Sequence, residues 1–141
     1  MDKVGLKRIV EETLDQFIQD EEYLLKKNLN ERTISHKFAE YLQRKFAGWN
    51  VDVEYNKNKD DIKKIKHIDD IKRVFPDIII HKRGSRDNLL IIEIKKNASE
   101  KVKEKEIDRI NKFKSQIDYS YGLFINFKTG NNFGNKEEKW V

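Results

Sequence analysis

The sequence predicts an α/β domain with a short mixed central sheet flanked by helices and an extra helix at the N-terminus. Three observations predict it. Two runs rich in β-branched residues, Phe75 to His81 and Leu89 to Lys95, are separated by Lys82-Arg83-Gly84-Ser85-Arg86-Asp87-Asn88, which has the composition of a turn. Trp49, Val51, Val53 and Tyr55 alternate with Asn50, Asp52 and Glu54, the period of a strand with one buried face. Stretches with apolar residues three and four apart stand both before and after these strands, as helices covering a sheet would require.

In chain order, Leu6, Ile9, Val10, Leu14, Phe17, Ile18 and Leu24 give one apolar stripe to a first helix over residues 4–27. Asn30 is a good cap for a second helix, whose Ile34, Phe38, Tyr41, Leu42 and Phe46 face inward before Ala47-Gly48 ends it. After the first strand, residues 56–73 mix Lys, Asp and Ile without clean period and are read as a long basic loop. The two β-branched runs then form a hairpin, and the second is apolar on both faces, as a central strand is. Ser99 caps a third helix to Ile117, with Val102, Ile107, Ile110, Phe113 and Ile117 inward. Residues 121–127 make a last strand, parallel to the one before it because a helix connects them.

A chain of 141 residues has the length of one domain. Residues 1–28 are read as an N-terminal helical extension, 30–127 as the core and 129–141 as a polar tail. The absence of cysteine excludes disulfides and thiolate zinc sites. No uncharged stretch approaches the ~18 apolar residues of a membrane span, and Met1-Asp2-Lys3-Val4 opens no signal peptide. The expectation is a cytoplasmic protein without membrane contact. His36, His67 and His81 are too far apart for a helical metal pair. No serine sits in a nucleophile elbow, and the glycines from Gly130 to Gly134 fit no phosphate loop. Thirty Lys and Arg against twenty-five Asp and Glu give a net charge of +5, and residues 57–97 alone carry +5. A basic middle segment permits nucleic-acid binding.

The hairpin brings acids together. A turn centred on Ser85 pairs positions summing to about 170, so Asp77 lies opposite Glu93 and Ile79 opposite Ile91, with Cβ atoms of opposed residues about 5 Å apart. Lys95 projects to the same face as Glu93. Two opposed carboxylates repel unless a proton or cation compensates, and two carboxylates with a backbone carbonyl suit Mg²⁺ or Mn²⁺. On the second helix, at about 100° per residue, Glu31 falls near 60° and the apolar stripe centres near 40°, whereas Glu40 faces solvent. The plainer reading of Glu31 is a first-turn acid favoured by the helix dipole. Glu54 is kept as a reserve ligand.

Pro76-Asp77 with Glu93-Ile94-Lys95 resembles the bipartite motif of the PD-(D/E)XK nuclease superfamily. The triplet alone is weak, since Asp61-Ile62-Lys63, Asp70-Ile71-Lys72 and Glu137-Glu138-Lys139 also satisfy it in polar surroundings. Context carries the likeness: the one proline precedes the acid, both halves lie on hydrophobic strands, and an acid-bearing helix comes first. It spans about residues 30–127, where Asn30-Glu31-Arg32, the Trp49 to Asn56 segment and Pro76 to Gly84 look like small stand-alone members. The resemblance implies a restriction-endonuclease-like sandwich and phosphodiester hydrolysis. Asp77, Glu93 and the carbonyl of Ile94 would be metal ligands, Glu31 the helix acid and a further candidate ligand, and Lys95 the group that orients or deprotonates water. Some members add a polar residue from the following helix, for which Asp108, Lys112 and Gln116 are candidates.

The leading expectation is therefore a Mg²⁺-dependent nuclease, with Mn²⁺ as the alternative ion and DNA as the expected substrate ahead of RNA. Phosphate contacts are expected from Lys63, Lys64, Lys66, Lys72, Arg73, Lys82, Arg83, Arg86 and Lys96. The alternatives are a nucleic-acid-binding module of the same fold that does not cut, and a protein-interaction domain using the amphipathic first helix. The residues ahead of the core also leave room for a homodimer.

Overall fold

The structure, a computed structural model, describes residues 1–54 and 75–141. Helices α1 (Lys3–Asp20), α2 (Glu22–Lys26) and α3 (Glu31–Lys45) precede strand β1 (Asn50–Val53). Strands β2 (Ile78–His81) and β3 (Asn88–Lys96), helix α4 (Glu100–Ile117) and strand β4 (Tyr121–Phe127) follow. A 3₁₀ turn (Gly130–Asn132) leads to β5 (Lys136–Trp140). The five strands lie in chain order, antiparallel except for β3 and β4, which are parallel as the helix between them requires. The α/β sandwich expected from the sequence is present.

The two faces of β3 decide the layering. Leu90, Ile92 and Ile94 point one way and join Leu123, Ile125 and Phe127 of β4 under α1 and α3. Ile91 points the other way and packs with Ile79, Phe124 and the α4 residues Ile110 and Phe113. Burying so many large side chains, at about 25 cal/mol per Å² of apolar surface, is the dominant favourable contribution to the fold. Phe17 of α1 packs on Phe38, Tyr41 and Phe127 with ring centroids 5.3, 5.3 and 5.6 Å apart. The N-terminal helix is thus built into the main core, and its apolar stripe of Leu6, Val10, Leu14 and Phe17 is fully buried within the chain.

Four expectations change. The first helix breaks at Glu21 into α1 and α2. Val102, expected inward, is 37% exposed, while Glu106 is buried in its stead. The segment 129–141 is no polar tail: β5 pairs with β4 from Leu123↔Trp140 to Phe127↔Lys136. A run of Lys and Glu has poor strand propensity, but as an edge strand it needs only one paired side, and its charges suit an exposed edge. The triplet Glu137-Glu138-Lys139 therefore does lie on a strand. The basic loop over 56–73, with Tyr55, lies outside the described residues. Among the described residues no helix is long and apolar enough to cross a membrane.

Helix α4 sits very close to the sheet. A Cβ added at Gly122 would come within 2.3 Å of Ile110 Cγ2, so only glycine permits this approach. That contact sets the height of α4 above β3 and β4.

Candidate functional site

The expected hairpin register is observed: Ile78 pairs with Ile92, Ile79 with Ile91 and Ile80 with Leu90, and a bulge follows at His81. Among the described residues pairing stops at Ile78, and β3 runs on through Lys96 without a strand partner on that side. Asp77 lies at this end. Its main-chain carbonyl accepts from Glu54 N at 3.1 Å, and its Oδ2 accepts from Ile94 N at 2.7 Å. In an extended strand the N–H and C=O of one residue leave the same edge, so the Ile94 carbonyl faces the side on which Asp77 stands. Glu31, the first residue of α3 behind its Asn30 cap, reaches the same edge: its Oε2 accepts from Lys96 N at 3.0 Å. Two side-chain carboxylates thus take two backbone donors that a longer β2 would have taken.

Glu93 is 1% exposed and shares its face with Lys95. Lys95 Nζ stands between two acids, 3.8 Å from Glu31 Oε1 and 3.9 Å from Glu106 Oε1. Arg109 NH1 lies 3.8 Å from both Glu93 Oε2 and Glu106 Oε2, and its NH2 donates to Phe75 O at 3.2 Å. The expected residues Glu31, Asp77, Glu93 and Lys95 are therefore brought to one place. Glu106 and Arg109 join them. The helix candidates named from the sequence do not stand out there: Asp108 is 67% exposed and pairs with Lys112 one turn on. A sequence signal for Glu106 did exist, since it lies four and seven residues before the buried Ile110 and Phe113, on the inner face of α4.

Burial governs the charges. The Asp77 carboxyl is pushed above the usual carboxylate range by desolvation, offset by the Ile94 N–H, by a hydrogen bond with Glu93 and by Lys95. Burial pushes Glu93 well above its usual range, and the charge of Asp77 adds to this, while Arg109 opposes it. Glu93 Oε1 is buried and finds no hydrogen-bond partner among the described residues. Among the described residues four carboxyl groups (Glu31, Asp77, Glu93, Glu106) face two cations (Lys95, Arg109) in this cluster, a formal charge of −2 for these six groups when all are ionised. An orphaned oxygen and a surplus of negative charge can be relieved by a divalent ion or by a proton shared in the hydrogen bond between the Asp77 and Glu93 carboxyls. Among the described residues no group of three or more His, Cys, Asp or Glu is arranged to hold a metal, so the donors available are Asp77, Glu93 and the Ile94 carbonyl. Glu54, the reserve ligand, is paired with Arg32 at 3.0 Å. A cavity of about 160 Å³ between α3 and β1 opens onto Glu31 and Asp77.

The expected phosphate contacts are dispersed. Lys82, Arg83 and Arg86 lie at the turn of the hairpin, about 15 Å along the strand from Asp77 at ~3.3 Å per residue. Lys82 Nζ stacks 4.7 Å over the ring of Trp49. Arg83 is engaged by Asp52, which also bonds His81 Nε2 at 2.7 Å. Lys96 Nζ is held by Asn28 Oδ1 at 3.2 Å and by the carbonyls of Asn28 and Leu29. Lys63, Lys64, Lys66, Lys72 and Arg73 lie outside the described residues. Comparison with known proteins finds no family model, no curated protein and no solved structure that matches the chain.

Proposed function

We propose that the protein is a metal-dependent nuclease of the PD-(D/E)XK type, hydrolysing phosphodiester bonds in nucleic acid. The observation that supports it most is the clamp on Asp77: its bond to Ile94 N fixes the carboxylate beside Glu93 and on the edge of the Ile94 carbonyl. Those three groups would hold a Mg²⁺ or Mn²⁺ ion. When bound, such an ion stabilises the charge that builds up on the phosphate and acidifies water. Lys95, a short distance along the same face, would orient the attacking water as an ammonium donor, and the proton the water loses would pass to solvent. Glu31 and Glu106 on either side of the ammonium keep it in place. Water adds to phosphorus, one P–O ester bond breaks, and the leaving oxygen takes a proton. The exposed Lys82 and Arg86 contact phosphates away from the cut.

The test is cleavage of DNA and RNA oligonucleotides, single- and double-stranded, in Mg²⁺, Mn²⁺ or EDTA. Wild type is expected to cut DNA with either ion and not in EDTA, while Asp77→Asn and Lys95→Ala bind without cutting. Binding by wild type without cleavage of any substrate would instead favour a non-cutting module, in which Arg109 and Lys95 serve as the structural counter-ions of buried acids.

A further inference from the structure

We propose that Thr129 is a positioning residue that sets where Glu31 meets Lys95, an inference that rests on the metal-dependent reading above. Thr129 lies just beyond β4, is 5% exposed, and joins three chain segments through one hydroxyl. Its Oγ1 accepts from Asn97 Nδ2 at 2.7 Å and donates to Asn28 Oδ1 at 2.7 Å. Its main-chain N–H donates to Asn97 Oδ1 at 3.2 Å, so Asn97 grips it with both ends of the amide. Asn97 directly follows β3, and Asn28 stands shortly before Glu31.

Two ties carry this joint to the site. Lys96 Nζ donates to Asn28 Oδ1 at 3.2 Å, and Lys96 N donates to Glu31 Oε2 at 3.0 Å. The link before α3 and the first turn of α3 are thus both fastened to one residue of β3, the neighbour of Lys95. The 3.8 Å between Glu31 Oε1 and Lys95 Nζ depends on how the start of α3 rides over the end of β3. The Lys96 side chain is long and flexible, whereas Thr129 is short, buried and stiff at its branched Cβ, so the precision of the joint comes from Thr129. The backbone agrees. Asn28 and Asn97 have φ of 56° and 51°, in the left-handed region, a conformation that persists where the surroundings hold it, and both bond to this hydroxyl.

The experiment compares Thr129→Val, which keeps the shape and removes the hydroxyl, with Thr129→Ser and with Glu31→Gln alone and combined, in the full chain. Steady-state cleavage of a DNA oligonucleotide gives kcat and KM per folded molecule, and calorimetry gives Mn²⁺ affinity. Thr129→Val is expected to lower kcat by about tenfold to a hundredfold. KM and Mn²⁺ affinity should stay as in wild type, because the joint bonds to none of Asp77, Glu93 and the Ile94 carbonyl. Thr129→Ser should restore most of the rate, and Thr129→Val should cost nothing further in a Glu31→Gln background, since both act at one point. Wild-type kcat in folded Thr129→Val, a parallel loss of Mn²⁺ affinity, losses that multiply in the double variant, or a serine variant as slow as the valine one would overturn the role of Thr129 and leave the metal-dependent reading standing. No cleavage by wild type with any ion would overturn both. Should Thr129→Val not fold, Asn28→Gly decides: glycine keeps the left-handed backbone and removes the amide that Thr129 holds, so kcat should fall as far, and an unchanged kcat overturns the proposal.

Discussion

Asp77 accepts the main-chain N–H of Ile94 across the end of the hairpin, 2.7 Å away, so the side chain of one strand does the work of a missing backbone partner for the other. The acid is held by the fold itself. The same bond separates the charge of Asp77 from its shape, because an amide can accept the hydrogen bond and a methyl group cannot.

Asp77→Asn is accordingly expected to melt close to wild type while losing cleavage. Asp77→Ala leaves the Ile94 N–H unpaired at a buried residue and should cost about 1–3 kcal/mol of stability. Urea unfolding of the three proteins in EDTA checks this. Equal stability of the Asn and Ala variants would show that the bond carries no weight.

Gly122→Ala is expected to destabilise by about 1–3 kcal/mol through overpacking, because the new methyl group would meet Ile110 Cγ2 at 2.3 Å. The displaced α4 carries Glu106 and Arg109, so metal-dependent cleavage should fall more than the loss of folded protein explains. Calorimetric melting and activity per folded molecule separate the two effects.

At the other end of the hairpin, the hydrogen bond from Arg83 holds Asp52 below the usual carboxylate range, with a further contribution from His81. A depressed folded-state pKa contributes stability that is present above the unfolded value and lost as pH falls through the folded one. Asp52→Asn should therefore be less stable than wild type near neutrality, by about 1–3 kcal/mol since it also strips partners from Arg83 and His81. The gap should close as pH drops below the unfolded value of 3.8. Melting temperatures from pH 7 down to pH 2.5 test it, and a gap that stays constant would refute the assignment.

Tyr41 donates to Glu21 Oε2 at 2.8 Å, and burial together with this bond pushes its phenol up to about 12. A raised folded-state value means stability that is intact below the ordinary phenol range, near 10, and lost as pH climbs toward 12. An ultraviolet titration should show a late-titrating tyrosine that shifts down in Glu21→Gln.

Much of the site could be read from residue order alone because a tight hairpin leaves few registers. Centring the turn on Ser85 placed Ile79 against Ile91, and from there Asp77, Glu93 and Lys95 followed by alternation. Glu31 followed from helical angle. Glu106 and Arg109 did not, because a charged side chain at an apolar spacing is ordinarily solvent-facing, and only a buried set of opposite charges makes the inner face acceptable. The strand over residues 136–140 was hidden for a related reason: its place comes from the ladder offered by β4, and its own sequence has no strand period.

The overhang of β3 beyond Ile78 has one more consequence. A protruding central strand with vacant donors is a template onto which a second chain could add, the usual route to edge-to-edge aggregation. Here Asp77 and Glu31 occupy the donors of Ile94 and Lys96, and their negative charge repels an incoming peptide carbonyl. The residues that would do the chemistry therefore also guard the protein against polymerising through the overhang of its central strand.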